Sequence, residues 1–380
     1  MSIERIELRP TVMTVDLPAL GRNFKAVNKL VGDSQVMAVV KANAYGHGLV
    51  PCSQHLVESG ANWIGVAFVE EGIELRKAGL RVPILVFGGI FDSQIKHFID
   101  YDLDLTASSI DKLEGIEETA SWSGKKARVH LKIDTGMERI GVHHYNAEKF
   151  ISSALALRNI EVVGVFSHFA TAGEDREFAA VQLERFNHCV EFTKQECDRL
   201  GIAKPMFHLA NSTGAISIPE ARFDMVRCGI ALYGVYPSAF LRELVQLEPV
   251  MKLSSRIVYF KVTKAGAGVG YGQTWRAEKD TRIVTVPIGY GDGYMRSLSN
   301  KGEVLIRGKR YPIVGRVNMD QIMVDIGEDS AWVGDEVVLL GTQGSESISA
   351  AEVAEKAGSY AYEILTATNM RVPREYTPPT

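Results

Sequence analysis

The sequence predicts an α/β chain: a (β/α)8 barrel of the TIM type over residues 12–247, followed by a mostly β domain over residues 248–380. Three observations predict it. Eight short β-branched runs alternate with segments of helical period up to about residue 240, the pattern of parallel strands joined by crossover helices. Eight such units in succession suit a closed barrel better than an open sheet. Beyond Glu248-Pro249 the helical period gives way to two-residue alternation.

In chain order, Ile3–Leu8 precedes the barrel and is expected to add a strand to the β domain. Leu17–Leu30 reads as an amphipathic helix, apolar at Leu20, Phe24, Val27 and Leu30, with Asp16 as N-cap and Pro18 in the first turn, where proline is tolerated. The eight barrel strands are Gln35–Val40, Trp63–Ala67, Ile84–Phe87, Leu103–Thr106, Arg128–Ile133, Val162–Phe166, Met206–Leu209 and Asp224–Val226. Glu70–Ala78 and Arg176–Arg199 are amphipathic and supply helices between them. The β domain has runs at Lys252–Val262, Arg282–Pro287, Glu303–Ile306, Tyr311–Val314, Gln321–Ile326 and Glu336–Leu340, with Gly308-Lys309 as a hairpin turn. Only Ile348–Gly358 looks helical there, with Ser349 as N-cap and Glu352 as its capping-box partner.

Composition narrows the function classes. Hydrophobic residues make up 46% of the 380, enough for a large core, and the formal net charge of −4 gives no reason to expect nucleic-acid or membrane binding. No apolar run reaches the ~18 residues of a membrane span. The charged N-terminus does not read as a signal peptide. The four cysteines are scattered without a Cys-x-x-Cys pair, so neither a metal site nor a disulfide framework is suggested. A cytoplasmic enzyme or a soluble binding protein is expected.

Barrel enzymes carry their chemistry on the loops after the strands. The first strand leads to Lys41, then Asn43, Tyr45, Gly46, His47 and Gly48; the fifth contains Lys132 and leads through Asp134-Thr135-Gly136 to Arg139. The sixth leads to Ser167 and His168, the seventh to Asn211-Ser212-Thr213-Gly214, and the eighth to Arg227, Gly229 and Ile230. Each residue has a plainer reading: Lys41 as a solvated surface residue, His168 as a core histidine, Arg227 as a rim salt bridge, Asn211–Gly214 as a turn or helix cap. Together they form a cationic pocket for an anionic ligand. Gly-x-Gly-x-x-Gly, Gly-x4-Gly-Lys-[Ser/Thr], His-Glu-x-x-His and Gly-x-Ser-x-Gly are all absent. Pyridoxal phosphate fits what remains: it needs an imine-forming lysine, a phosphate cup and a partner for its pyridine nitrogen.

The stretch AVVKANAYGHG, residues 38–48, resembles the cofactor-lysine signature of alanine racemases. Matching blocks follow in the family's order: HLKIDTGMERIGV (130–142), VFSHFATA (165–172), HLANSTGA (208–215), MVRCGIALYGVYP (225–237), GVGYGQTW (268–275), PIGYGDGY (287–294), GRVNMDQIMVD (315–325) and AYEIL (361–365). The resemblance implies a pyridoxal-phosphate homodimer with shared active sites that interconverts L- and D-alanine by a two-base mechanism and supplies D-alanine for peptidoglycan. It implies that Lys41 holds the cofactor and is one base, and that Tyr271 of the partner subunit is the other. Arg227 would face the pyridine nitrogen, His168 would link it to that tyrosine, and Arg139 would contact the cofactor's phenolic oxygen and the substrate carboxylate. Tyr45, Ser212, Gly229, Ile230 and Tyr362 would hold the phosphate, with Asn211 beside them. Tyr290, Met319 and Asp320 of the partner subunit would line the substrate side and entry. Lys132 matches a lysine that is carbamylated in some members. Asn318 stands where many members carry Cys or Ser.

Lys and Tyr both have reference pKa values near 10, so each must be lowered to act as a base near neutral pH; cationic neighbours do this for both. An arginine opposite the pyridine nitrogen stays protonated, which leaves the ring a weaker electron sink and limits side reactions such as transamination. Three rivals remain: a broader racemase for serine or basic amino acids on the same scaffold, a pyridoxal-phosphate decarboxylase, and a non-enzymatic carrier of the cofactor. A decarboxylase would pair the nitrogen with an acid and keep a cysteine near the C-terminal domain, whereas this chain has no Cys after residue 228. A carrier would not need Tyr271, Tyr290 and Met319-Asp320.

Overall fold

The computed structural model describes residues 9–378, which divide into two units. One comprises residues 20–44 and 49–248, the other residues 9–19, 45–48 and 249–378. The expected strand at Ile3–Leu8 lies outside the described residues. The first described strand, β1 (Val12–Asp16), pairs antiparallel with Met251–Arg256 and so belongs to the second unit. Asp16 caps the helix Leu17–Val31 as expected, its Oδ1 accepting from Ala19 N at 2.9 Å.

The first unit is the barrel. Its strands are β2 (Gln35–Val39), β3 (Trp63–Val66), β4 (Ile84–Val86), β5 (Leu105–Ala107), β6 (Ala127–Asp134), β8 (Ile160–Phe166), β9 (Met206–His208) and β10 (Met225–Cys228); a two-residue strand, β7 (Val142–His143), lies beside the end of β6. Pairing is parallel along β10-β2-β3-β4 and β5-β6-β8-β9. Val86 N to Asp104 O at 3.1 Å joins β4 to β5, and Arg227 N to Ala210 O at 2.9 Å joins β9 to β10, which closes the ring. All eight expected runs are strands. Two are displaced toward the C-terminus: β5 begins at Leu105 because Leu103 N bonds the end of the preceding helix at Phe98 O, and β10 runs on to Cys228. β3, β4 and β5 are buried along their whole length, as expected for parallel strands covered on both faces. Met37, Trp63, Leu85 and Met225 form an apolar cluster in this unit.

The second unit is mostly β. Its strands are β11 (Met251–Arg256), β12 (Tyr259–Thr263), β13 (Gly268–Val269), β14 (Trp275–Arg276), β15 (Thr281–Val286), β16 (Glu303–Ile306), β17 (Lys309–Pro312), β18 (Ile322–Asp325), β19 (Glu336–Gln343), β20 (Glu346–Ile348) and β21 (Arg374–Thr377). One sheet runs β17-β16-β19-β11-β1-β21 and another β12-β15-β18. Four expectations need correction. Lys252–Val262 is two strands in two sheets: Ile257 N bonds Asp335 O whereas Val258 N bonds Thr285 O, so the chain changes sheets there. The hairpin turn is Arg307-Gly308, because Ile306 pairs with Lys309 and both turn residues have positive φ, 52° and 73°. Ser349 caps the helix Ala350–Ala357 by accepting from Glu352 N at 3.1 Å, but the Glu352 carboxylate goes to Arg310 and Lys356 rather than back to the cap. A second helix, Ala361–Ala367, was not expected and carries Tyr362. Among the described residues, no helix is long and apolar enough to cross a membrane.

Candidate active site

Lys41 follows the apolar strand β2 at the mouth of the barrel. The next four residues, Ala42, Asn43, Ala44 and Tyr45, have φ between 51° and 56°, a left-handed turn without a glycine. Each such residue costs about 1–2 kcal/mol relative to right-handed geometry, so the turn must be held by its surroundings. Ala42 N donates to Glu71 Oε1 at 2.6 Å, Ala44 N to Val40 O at 2.7 Å, and Asn43 Oδ1 accepts from Leu49 N at 2.7 Å. Glu71 is itself anchored, its Oε2 accepting from Ala67 N at 2.8 Å. Gly46 continues with φ +83°, and a Cβ there would lie 2.2 Å from Leu365 O, so only glycine fits. The Lys41 amine is pushed below its ordinary range by burial and by Arg139 and Arg227, against a smaller opposing pull from Glu71. It can therefore be a neutral nucleophile or base nearer neutral pH than a free lysine.

Arg227, on β10, is 4% exposed. Its Nη1 donates to His208 Nδ1 at 2.8 Å and His208 O at 2.9 Å. Its Nη2 donates to Ser167 O at 2.6 Å, Leu209 O at 3.0 Å and His168 Nδ1 at 3.2 Å. None of these five acceptors is a carboxylate, which excludes the rim salt bridge. Among the described residues, its Nε–H has no acceptor. Burial lowers the guanidinium to about 9. The guanidinium carbon lies 5.2 Å from the centre of the Phe166 ring, and Lys132 Nζ lies 5.0 Å from the same ring. Lys132 is buried; its Nζ bonds only Ile133 O at 3.3 Å among the described residues, and burial and Arg227 push it well below the usual lysine range. His168 is pushed well below its ordinary range by burial and by Arg227. Arg139 is held by its backbone, because Asp134 accepts from the amides of Gly136, Met137 and Arg139 at 2.8, 2.9 and 3.2 Å.

Nearby backbone forms a cup. Asn211 Oδ1 caps the helix Ser212–Ser217 by accepting from Gly214 N at 3.0 Å, so the helix-cap reading of Asn211 is realised. Ser212 Oγ accepts from Gly229 N at 3.0 Å, and Ile230 opens the short turn that follows. Lys41, Lys132, Arg139, His168, Asn211, Ser212, Arg227, Gly229 and Ile230 thus all lie in the barrel unit.

The remaining candidates lie in the β unit. The Tyr45 and Tyr362 rings are 6.2 Å apart. Tyr271, Tyr290, Met319 and Asp320, with Asn318 and Gln321, line an open cleft of about 550 Å³. Tyr290 N bonds Asn318 O at 2.9 Å and Gly291 N bonds Met319 O at 2.8 Å, which ties the two loops together. Arg371 braces them, reaching Asp320 at 2.7 Å and the buried Asp292 at 3.3 Å. Sequence reasoning missed Glu71, His208 and Arg371. His208 could have been found, since it opens the HLANSTGA block; no motif or period marks the other two. Among the described residues, no three His, Cys, Asp or Glu side chains gather as a metal site.

The chain matches the alanine racemase N-terminal domain over residues 15–237 and the alanine racemase C-terminal domain over residues 250–376. It is 43% identical to the alanine racemase of Halothermothrix orenii, over 97% of each chain. The crystal structure of alanine racemase from the D-cycloserine-producing Streptomyces lavendulae superposes with a TM-score of 0.93 at 37% identity, over 99% of each chain. A histidine racemase from Leuconostoc mesenteroides shares the architecture with a TM-score of 0.85 at 28% identity, over 98% of this chain and 99% of that one. The signature blocks, the closed barrel with its mostly β partner, and these full-length matches establish that the chain belongs to the alanine racemase family.

Proposed function

We propose that the protein is a pyridoxal-phosphate-dependent alanine racemase, working as a homodimer in the cytoplasm and supplying D-alanine for peptidoglycan. The observation that carries the cofactor reading is Arg227: a buried guanidinium held by neutral acceptors, with one N–H left over. That remaining donor suits an unprotonated ring nitrogen. The other residues fit the same group. Lys41 supplies the amine; Ser212, Gly229 and Ile230, beside Asn211 and with Tyr45 and Tyr362, supply donors for a phosphate; Arg139 supplies a cation for the phenolic oxygen and the substrate carboxylate. When bound, pyridoxal phosphate supplies the electron sink that weakens the substrate Cα–H bond.

The residues of the chain divide the remaining work. Lys41, once its amine is free, moves a proton at one face of the substrate Cα. Tyr271 of the partner subunit moves one at the opposite face. His168 links Arg227 toward that tyrosine. Tyr290, Met319 and Asp320 of the partner subunit bound the substrate side and exclude larger groups. Lys132, neutral in its cationic surroundings, is suited to carbamylation by carbon dioxide, which would convert it to an anion beside Arg139.

The assay is direct. Purified protein loaded with pyridoxal phosphate and given L-alanine should form D-alanine until the two are equal, with the absorbance of a lysine-bound cofactor. A loaded protein that leaves L-alanine unchanged overturns the reading. A second reading, a racemase of wider specificity, is favoured by one observation: the same architecture serves a histidine racemase. Asn318, in the cleft with Tyr290, is the position to watch, and a chiral assay with serine, histidine and lysine separates the two.

A further inference from the structure

Behind Arg227 the barrel holds three buried titratable side chains that the proposed reaction leaves without a task. His208 Nδ1 accepts from Arg227 Nη1 at 2.8 Å. His208 Nε2 lies 2.9 Å from His130 Nδ1, and His130 Nε2 lies 3.3 Å from Asp104 Oδ2. Both imidazoles are fully buried and Asp104 is 1% exposed. A guanidinium can only donate and a carboxylate can only accept, so the direction of the row is forced. It runs Arg227 to His208 to His130 to Asp104, and each imidazole carries its proton on Nε2.

The barrel makes room for this row. The four residues come from β10, β9, β6 and the segment just before β5. Where the two rings meet, β8 presents Gly164, whose Cβ would fall 2.3 Å from His130 Nδ1 and 3.1 Å from His208 Nε2. Phe166, also on β8, stacks on His208 with centroids 4.9 Å apart and planes within 1°. Trp63 meets His130 edge-on at 5.5 Å. The ring planes are therefore set by packing as well as by hydrogen bonds.

We propose that Asp104 is the counter-charge of Arg227, acting through His130 and His208, and that these three positioning residues keep the guanidinium proton on Arg227 rather than letting it pass to the ring nitrogen of the cofactor. This rests on the proposed cofactor and reaction. Five neutral acceptors solvate Arg227 but do not neutralise it, and a buried cation needs a compensating anion. A row of hydrogen bonds in a dry interior transmits polarisation along its length. A negative charge at its far end favours the charged guanidinium. Among the described residues Asp104 has one other side-chain partner, Arg128, whose Nε lies 2.8 Å from Oδ1 and Nη2 3.3 Å from Oδ2. A purely structural role for Asp104 would run through that pair.

The test separates the two roles. Histidine 15N spectra of the cofactor-free wild type should show His130 and His208 as neutral rings protonated on Nε2. A proton on Nδ1 of either ring, or a cationic ring, overturns the proposal whatever the activity. In the loaded enzyme, Asp104→Asn should raise pyruvate released per alanine racemised and shift the cofactor absorbance. For charges roughly 10–15 Å apart at an effective dielectric near 20, Coulomb's law gives about a six- to sixteenfold change. Arg128→Gln, which removes the direct ion pair but leaves the Asp104 carboxylate in the row, should not raise the pyruvate ratio. A folded Asp104→Asn enzyme with the wild-type product ratio and spectrum overturns the proposal, as does an equal response from Arg128→Gln. Should Asp104→Asn fail to fold, the wild-type histidine spectra decide. Wild-type protein that neither loads pyridoxal phosphate nor racemises alanine instead overturns the functional reading.

Discussion

The left-handed turn after Lys41 yields a prediction whose sign is opposite to the usual one. Ala42 is exposed and sits at φ 53°, ψ 53°. Replacing it with glycine removes one β-carbon that makes left-handed geometry unfavourable, a relief of about 1–2 kcal/mol. The added freedom of the unfolded chain takes back about 0.4–1 kcal/mol. Ala42→Gly should therefore stabilise the protein by roughly 0.5 kcal/mol as the difference of those terms. Ala180 is the control: it is also exposed, but lies inside the right-handed helix Arg176–Leu200. There the same change should lose about 1 kcal/mol. The assay is urea unfolding of the two variants and the wild type at one protein concentration and one cofactor concentration, since ligand and subunit concentrations both move the midpoint. The variants should bracket the wild type. An Ala42→Gly loss equal to that of Ala180→Gly would refute the reasoning, because it would mean that Ala42 is not held left-handed in solution. The same change should lower the alanine turnover number by a few-fold, since a looser turn aims Lys41 less well.

Three further outcomes follow from the site. Lys132→Met should be more stable than wild type at low pH, and the gap should close as pH rises toward 10.5, the unperturbed value. The folded lysine has the lower pKa, so the unfolded chain binds the extra proton and wild-type stability rises through that window, by up to about 1.4 kcal/mol per pH unit. A pH-independent gap in carbon-dioxide-free buffer would show that Lys132 is not held neutral. Arg227→Glu should slow alanine racemisation and raise transamination, read as pyruvate release; unchanged kinetics would remove Arg227 from the ring-nitrogen position. Mixing inactive Lys41→Ala with inactive Tyr271→Phe protein should restore part of the activity through one intact hybrid site per dimer, and no recovery after verified subunit exchange would place both bases in one chain.

The barrel was legible because short β-branched runs recur between segments of helical period, and all eight runs are strands. The β unit was less legible. Lys252–Val262 looks like one strand by alternation, yet the switch between sheets at Ile257-Val258 depends on Asp335 and Thr285, both distant in sequence. Glu352 was read as a local capping partner, but Arg310 and Lys356 offer it charge-assisted bonds instead. Lys41, Arg139 and His168 could be singled out as candidates because they follow barrel strands, and Arg227 because its strand was expected to end at Val226. His130 and Asp104 could not be found that way, because they point into the barrel rather than following a strand end. The left-handed turn was also invisible: Ala42-Asn43-Ala44 contains no glycine to advertise it, and Glu71, which holds it, lies on a different helix.

The formal net charge of −4 describes the whole chain and conceals an imbalance at one place. Lys41, Lys132, Arg139 and Arg227 converge, while the two carboxylates near them are occupied by backbone amides: Asp134 by three and Glu71 by those of Ala42 and Ala67. Burial lowers Lys41, Lys132 and Arg227, and repulsion from neighbouring arginines adds to it at Lys41 and Lys132. Such a cluster carries an electrostatic penalty that an anionic ligand, such as the proposed cofactor, would relieve. Relief of that kind is binding free energy, and binding to the folded state alone raises stability by about 2.7 kcal/mol at a hundredfold excess over the dissociation constant. The sign is testable with inorganic phosphate, which supplies the charge without the ring. If the cationic cluster is the driving feature, phosphate should stabilise the cofactor-free protein by an amount that grows with the logarithm of its concentration above the dissociation constant, and Arg139→Gln should weaken that effect. Equal stabilisation by phosphate and by an uncharged solute would show that the cluster is already compensated.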